Sequence, residues 1–231
     1  MENVKIILAS QSPRRKAMLA WVLMEFDCRP ADIDETPLEG EQPTAYCRRM
    51  ALGKALKCAE SVTDDALIIG SDTTVFVGTR IFGKPKDEDD AAEMLRTLNG
   101  RDHKVGTAAV VIAQTNGKRR VLRSYCETGV RLRAMDRDEI RDYVASGDPM
   151  DKAGAYAIQN RAFHPVESIH GCYAGVVGLP LCHVCAMLRA VGFDSFPPVR
   201  PACMGGTNRN CSCIPAVNIE ELDIAGSKGV R

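Results

Sequence analysis

The chain has 231 residues, 45% of them hydrophobic and 26% charged, enough apolar material to bury a substantial core. Thirty acidic residues balance thirty lysines and arginines, so no global field draws the chain to nucleic acid or to an anionic membrane, and anion binding must be local. No run reaches the roughly 20 apolar residues of a membrane span, and the apolar stretch within Met1–Ser10 is too short for a secretory core, so the cytoplasm is the expected location.

The first element is strand, turn, helix. Val4–Ala9 is a short β-branched run, and Ser12-Pro13 opens a helix with a capping hydroxyl and a proline at its first position. Met18, Leu19, Val22, Leu23 and Phe26 give that helix its buried face, and it ends before Cys28-Arg29-Pro30. Prolines and a glycine make Asp32–Gln42 a loop. The spacing of Ala51, Leu52, Ala55, Leu56 and Ala59 predicts a helix from Thr44 to about Val62, with Lys54 on or beside its polar face. Ala66–Gly70 reads as a buried strand running into Ser71-Asp72-Thr73-Thr74, with a further short strand at Val75–Val77.

Asp87–Leu98 predicts a helix that starts on an acidic cluster and stops at Asn99-Gly100. Val105–Gln114 and Arg119–Arg133 flank Asn116-Gly117, a strong hairpin signal. Asp136 and Glu139 fit a capping box for a helix reaching Ala145, stopped by Gly147 and Asp148-Pro149. An irregular segment, Asp151–Gln159, precedes a strand-like region to Ile169, the apolar run Tyr173–Leu179 and a last helix, Leu181–Ala190. Beyond Pro197-Pro198 the composition turns to Gly, Asn, Cys and Ser, which predicts a mobile tail. The expected division is one domain over residues 1–196 and a tail over 197–231. Strands with helices followed by a hairpin imply an α/β or α+β fold with a mixed sheet. Neither GxGxxG nor GxxxxGK[ST] occurs.

Ten cysteines in a chain of this size read mostly as buried thiols. Cys182 and Cys185 form a CxxC that falls on one helix face, which favours packing over metal or redox chemistry. Cys203, Cys211 and Cys213 lie in the tail, where no nearby histidine completes a zinc spacing.

Four segments carry groups suited to phosphate chemistry. Leu8-Ala9-Ser10-Gln11-Ser12-Pro13-Arg14-Arg15 joins a strand exit, hydroxyls, a helix start and two guanidiniums, the outline of an anion site; adjacent arginines in a first turn are also commonly just solvated. Asp72 ends an apolar run, where polar groups of α/β folds face a cleft. It can hold a divalent metal or act as a general base, or it can cap a turn through Thr73 or Thr74. Lys84, between Gly83 and Pro85, and Glu35, in Asp34-Glu35-Thr36-Pro37, are open to a phosphate or metal role and to plain loop chemistry alike.

In order along the chain, these segments, Lys54, Gly70-Ser71-Asp72-Thr73, Asp151-Lys152-Ala153-Gly154-Ala155-Tyr156-Ala157-Ile158-Gln159 and Val176-Val177-Gly178-Leu179-Pro180 resemble the Maf family of nucleoside triphosphate pyrophosphatases, from about residue 4 to residue 193. The resemblance implies a two-lobed α/β fold of the inosine-triphosphatase type, with an elongated mixed sheet and a central cleft. It makes Asp72 the catalytic aspartate and places Ser10, Arg14, Arg15, Glu35, Lys54 and Lys84 in the same cleft. Arg14, Thr73 and Gln159 match the branch acting on dTTP and UTP; the branch acting on 7-methyl-GTP tends to carry Trp, Gln and Glu. A carboxamide at Gln159 can donate to and accept from the imide edge of uracil or thymine.

The resemblance implies hydrolysis of a nucleoside triphosphate to monophosphate and pyrophosphate. On this expectation Asp72 activates water and shares a magnesium or manganese ion with Glu35, while Ser10, Arg14, Arg15, Lys54 and Lys84 hold the phosphates. A homodimer is in keeping with the family. A second hypothesis is a nucleotide-binding regulator of division or septation with little catalysis. A nucleic-acid module is disfavoured by the zero net charge and the single tryptophan. Asn160-Arg161-Ala162-Phe163-His164 departs from the glycine-rich stretch that often follows in relatives, and His164, His170 and His183 fall on no family motif.

Overall fold

The protein is described by a computed structural model over residues 4–207 and 217–223. In chain order its elements are β1 (Lys5–Leu8), α1 (Pro13–Leu19), β2 (Asp27–Cys28), α2 (Pro43–Ala59), β3 (Ala66–Val77), β4 (Arg80–Phe82), α3 (Glu88–Leu98), β5 (Asp102–Thr115), β6 (Lys118–Leu132), α4 (Arg137–Ala145), β7 (Val166–His170), α5 (Tyr173–Val177), α6 (Leu181–Ala190), α7 (Val199–Thr207) and β8 (Glu220–Leu222). Among the described residues, eight strands form one mixed sheet in the order β2-β1-β3-β5-β6-β7, with β4 added to β3 and β8 to β6. β1 runs parallel to β2 and β3; the other pairings are antiparallel. Among the described residues, no helix is long and apolar enough to cross a membrane.

β3, β5 and β6 have 12, 14 and 15 residues, so each is roughly 40 to 50 Å long at the usual strand rise, enough to serve two lobes. In one lobe the sheet is covered on both faces. Leu67 and Ile69 pack with Met18 and Leu19 of α1 and with Leu181, Val184 and Leu188 of α6. Their neighbours Ala66 and Ile68 point the other way, onto Ala51, Ala55 and Cys58 of α2. In the second lobe Val75, Val105, Val130 and Leu132 pack with Leu95 and Leu98 of α3 and with Ile140 and Tyr143 of α4. The two-lobed mixed sheet expected from the sequence is the observed architecture.

The lobes part at a gap in the edge of β3. β5 covers one edge of β3 from Ala66 to Phe76. The other edge is covered by β1 only along Ala66–Ile69 and by β4 only along Val75–Val77. Among the described residues, Gly70–Thr74 therefore has no strand partner on that side, and Asp72 sits at its midpoint. Beside the gap α2 lies directly on the strand: a Cβ on Gly70 would stand 2.6 Å from the Ala51 carbonyl oxygen and 2.8 Å from the Ala55 Cβ.

Two sequence expectations need correction. The segment from Ala66 to Val77 is one continuous strand, not two separated by a polar turn, because Ser71 and Thr74 are buried with their hydroxyls bonded inside the protein. The first helix ends at Leu19, although Val22 and Leu23 remain buried beyond it. Within the stretch after Pro197, where a tail is expected, the structure describes α7 and β8. Val199 and Cys203 of α7 are buried, and Gly206 lies flush against the Trp21 ring, where only a residue without a Cβ fits. Glu220 bridges Arg48 and Arg123, and Arg120 grips Glu221.

Two outcomes test this packing. Gly70→Ala should lower unfolding stability by about 2 kcal/mol, through overpacking of α2 on β3, read as a shift in the urea midpoint; an unchanged midpoint would contradict the close approach. His103, buried on β5 with Nε2 2.7 Å from the Tyr156 hydroxyl, is pushed down by burial to about 4. An unfolded histidine binds its proton near 6.5, so stability should be lost as pH falls from about 6.5 to about 4. His103→Gln, which does not titrate, should flatten that slope in thermal melts.

Candidate active site

The cleft at the gap is lined by Ser10, Arg14, Arg15, Glu35, Lys54, Asp72, Thr73, Lys84 and Gln159, so segments far apart in sequence meet in one place. Strand alternation divides their work. Asp72 and Thr74 share the α2 face of β3 with Gly70, while Ser71 and Thr73 face α1 and α5.

On the α2 face the Lys54 Nζ stands 2.7 Å from Asp72 Oδ1 and 2.7 Å from Glu35 Oε1. The close seating of α2 at Gly70 puts Lys54, between Ala51 and Ala55, within reach. Only 13% of the Lys54 side chain and 10% of the Asp72 side chain are exposed, so the pair acts largely free of solvent screening. Burial raises the Asp72 carboxyl above its ordinary range, against the opposing pull of Lys54 and Arg15. Burial also acts upward on Glu35, but the Lys54 hydrogen bond and the charges of Lys54, Lys84 and Arg15 outweigh it and hold Glu35 low. Two neighbouring carboxyls driven in opposite directions are suited to different roles: Asp72 has the higher proton affinity and Glu35 remains an anion. Beneath them the buried Cys47 thiol shares its one proton between the Asp72 and Gly106 carbonyls, at 3.3 and 3.4 Å. The Tyr46 hydroxyl ties the Glu35 loop through the Glu35 carbonyl at 2.9 Å.

On the opposite face Arg15 is enclosed. Its Nε donates to the Gly178 carbonyl at 2.9 Å, and its terminal nitrogens donate to Ser10 Oγ at 3.4 Å and Thr73 Oγ1 at 3.2 Å. Burial holds its pKa below the usual arginine value. The guanidinium therefore braces the Ser10–Arg15 segment against α5 and offers a ligand only the N–H groups left over. Arg14 instead reaches across the cleft to Asp151 Oδ2 at 3.1 Å. Lys84 enters from the second lobe on a loop fixed by the bond from Gly154 N–H to the Gly83 carbonyl, 3.0 Å. Gln159 lines the cleft at the end of the Asp151–Gln159 segment.

The nine residues picked out in the sequence thus share one cleft. Those not picked out are Cys47, Tyr46, Ser71, Thr107 and, as individual contributors, Asp151 and Lys152. A signal exists for Ser71, inside Gly70-Ser71-Asp72-Thr73, and for the last two, inside Asp151–Gln159; Cys47, Tyr46 and Thr107 look like ordinary helix or strand residues until the fold brings them here.

Glu35 and Asp72 both touch one ammonium group, so the pair presents hard oxygen donors converging on a cation, the donor type that magnesium and manganese take. Among the described residues no group of three or more His, Cys, Asp or Glu converges on a point, so oxygens from phosphate and water would have to complete such a shell. That also applies to Cys182, Cys185 and Cys203; Cys211 and Cys213 lie outside the described residues.

Residues 5–191 match the family described as Maf-like protein. The chain belongs to that family. It is 46% identical over 193 residues to a protein of Geobacter sulfurreducens named dTTP/UTP pyrophosphatase, covering 83% of this chain and 99% of the relative. Proteins of the same name from Geobacter sp. (strain M21) and Pelotomaculum thermopropionicum are 44% and 43% identical, over 83% and 82% of this chain and 98% of each relative. The Maf match ends at residue 191, short of α7 and β8.

Lys54→Met should raise the Asp72 pKa further, because burial then acts without its nearest opposing cation. A carbon-detected NMR titration of the Asp72 carboxyl reads this; an unmoved titration would sink the contact as an electrostatic determinant.

Proposed function

We propose that this chain hydrolyses dTTP and UTP to the monophosphate and pyrophosphate. The observation that carries the reading is a buried carboxylate with raised proton affinity, Asp72, set at a strand gap among Lys54, Arg15, Arg14 and Lys84, in a family whose relatives bear that name.

The chemistry follows from the charges. Water attacks the α-phosphorus, its proton passes to Asp72, the bond between the α-phosphorus and the bridging oxygen breaks, and pyrophosphate leaves. Ser10, Arg14, Lys84 and the unspent N–H groups of Arg15 hold the phosphate chain in line. Lys54 keeps Asp72 ionised and oriented until the proton arrives. A magnesium or manganese ion held by Glu35 and Asp72 would supply neutralisation of the triphosphate charge when bound. Arg14, Thr73 and Gln159 select the base, with the Gln159 carboxamide able to meet both donor and acceptor on an imide edge.

The reading extends to a house-cleaning role: removal of pyrimidine nucleotides, modified ones included, from the cytoplasmic pool before incorporation into nucleic acid. The partners are free nucleotides, not nucleic acid or membrane, and a second copy of the chain in a homodimer is in keeping with the family.

Pyrophosphate release from UTP, dTTP and 7-methyl-GTP, with magnesium and manganese titrated and then chelated, tests this. UTP and dTTP should be turned over and 7-methyl-GTP should not, with activity lost on chelation. Asp72→Asn should bind nucleotide and lower turnover by at least about 1000-fold. A wild-type chain that binds nucleotide and releases nothing would point instead to the regulator of division or septation.

A further inference from the structure

Behind the cleft wall, Thr107 is a buried hydroxyl to which the proposed chemistry gives no task. Thr107 stands on β5 opposite Thr73 of β3 and is 0% exposed. Its Oγ1 lies 2.7 Å from the Gly175 carbonyl oxygen and 3.1 Å from Thr73 Oγ1. A hydroxyl has one proton, and a carbonyl oxygen can only accept. The Thr107 proton therefore goes to Gly175, and the proton shared by the two hydroxyls is the one Thr73 gives. On its other side Thr73 Oγ1 lies 3.2 Å from an Arg15 terminal nitrogen, which can only donate. Before any ligand arrives, Thr73 has given away its proton and filled one lone pair. A single lone pair remains for the cleft.

The surroundings keep this order from relaxing. Gly175 is buried in α5, and the Gly178 carbonyl just beyond that helix accepts from Arg15 Nε at 2.9 Å and stands 3.0 Å from Ser71 Oγ, whose one proton it shares with the Ala108 carbonyl at 2.9 Å. Gly178 itself has φ +126°, and a Cβ there would stand 3.3 Å from Arg15 Nε and 3.4 Å from Thr73 Oγ1. Reversing the hydroxyl chain would leave the Gly175 carbonyl unpaired in the interior, a cost comparable to a lost hydrogen bond.

We propose that Thr107, together with Arg15, is a positioning residue that fixes the hydrogen-bond polarity of Thr73, so that the cleft presents an acceptor and selects a base that offers an N–H. Uracil and thymine carry a ring N–H between two carbonyls; the corresponding ring nitrogen of cytosine is an acceptor and would face lone pair against lone pair. The inference rests on the proposed hydrolysis of pyrimidine triphosphates and names one physical source of its base preference.

The test compares UTP and CTP on the wild type and on Thr107→Val, a near-isosteric change that removes the acceptor for the Thr73 proton. With that proton free to turn into the cleft, the preference for UTP over CTP should shrink about 10-fold, through KM with kcat held. Thr107→Ser keeps the hydroxyl and should restore the wild-type ratio. In a Thr73→Val background, Thr107→Val should alter the ratio no further, because its effect passes through Thr73. An unchanged UTP to CTP ratio in Thr107→Val, or an equal loss on both nucleotides, overturns the proposal. If Thr107→Val does not fold, Thr107→Ala removes the same hydroxyl and is judged by the same ratio. Calorimetric affinities for UTP and CTP report the preference without turnover. A wild type that hydrolyses neither nucleotide thus sinks the hydrolase reading alone, and the polarity of Thr73 is still decided by binding.

Discussion

The site depends on keeping a carboxylate ionised where water barely reaches. Asp72 is buried, and a buried charge persists only with a partner at hydrogen-bond distance. Lys54 is that partner, and it arrives because α2 rests on β3 at Gly70 with no side chain between them. Ala51 and Ala55 are small for the same reason: a larger residue at either position would lift the helix and withdraw the ammonium group. The alanines that look like generic helix filler in the sequence therefore set the distance between a buried carboxylate and its counter-ion.

One strand then serves two chemical purposes. Side chains alternate across β3, so Asp72 faces the cationic pocket beside α2 while Thr73 faces the hydroxyl and guanidinium network beside α5. The proposed water-activating carboxylate and the proposed base-selecting hydroxyl are thus joined by a single peptide bond. The gap between β1 and β4 leaves both faces of the continuous strand open to one cleft, while β5 pairs its other edge from Ala66 to Phe76.

Much of this is legible in the sequence. Asp72 stands out because a carboxylate directly after Ala66–Gly70 has no reason to be there for packing, and Ser10 with Arg14 and Arg15 stands out because hydroxyls and guanidiniums cluster at a helix start. The two-lobed fold comes through the resemblance; the residue pattern alone reaches only a mixed sheet. Less visible is the continuity of β3, since buried Ser71, Asp72 and Thr74 break the apolar pattern that marks a strand, and their partners are remote in sequence. The enclosure of Arg15 is hidden for the same reason: its acceptors lie at Gly178 and Thr73. Thr107 gives no signal, as a threonine within a run of small apolar strand residues. In the stretch after Pro197 composition does not show the packing of α7, where Gly206 is the residue that lets the helix close on Trp21.

β8 lies along Val121–Arg123 of β6, on a length of that edge that β7 leaves uncovered. A bare strand edge is a template for pairing with any other bare edge, including that of an identical molecule. The Glu220 and Glu221 anchors on Arg48, Arg123 and Arg120 hold this cover by charge, and exposed ion pairs weaken as salt is added. The colloidal behaviour of the protein, its tendency to stay dispersed at high concentration, is thereby tied to ionic strength through a segment that does not line the cleft.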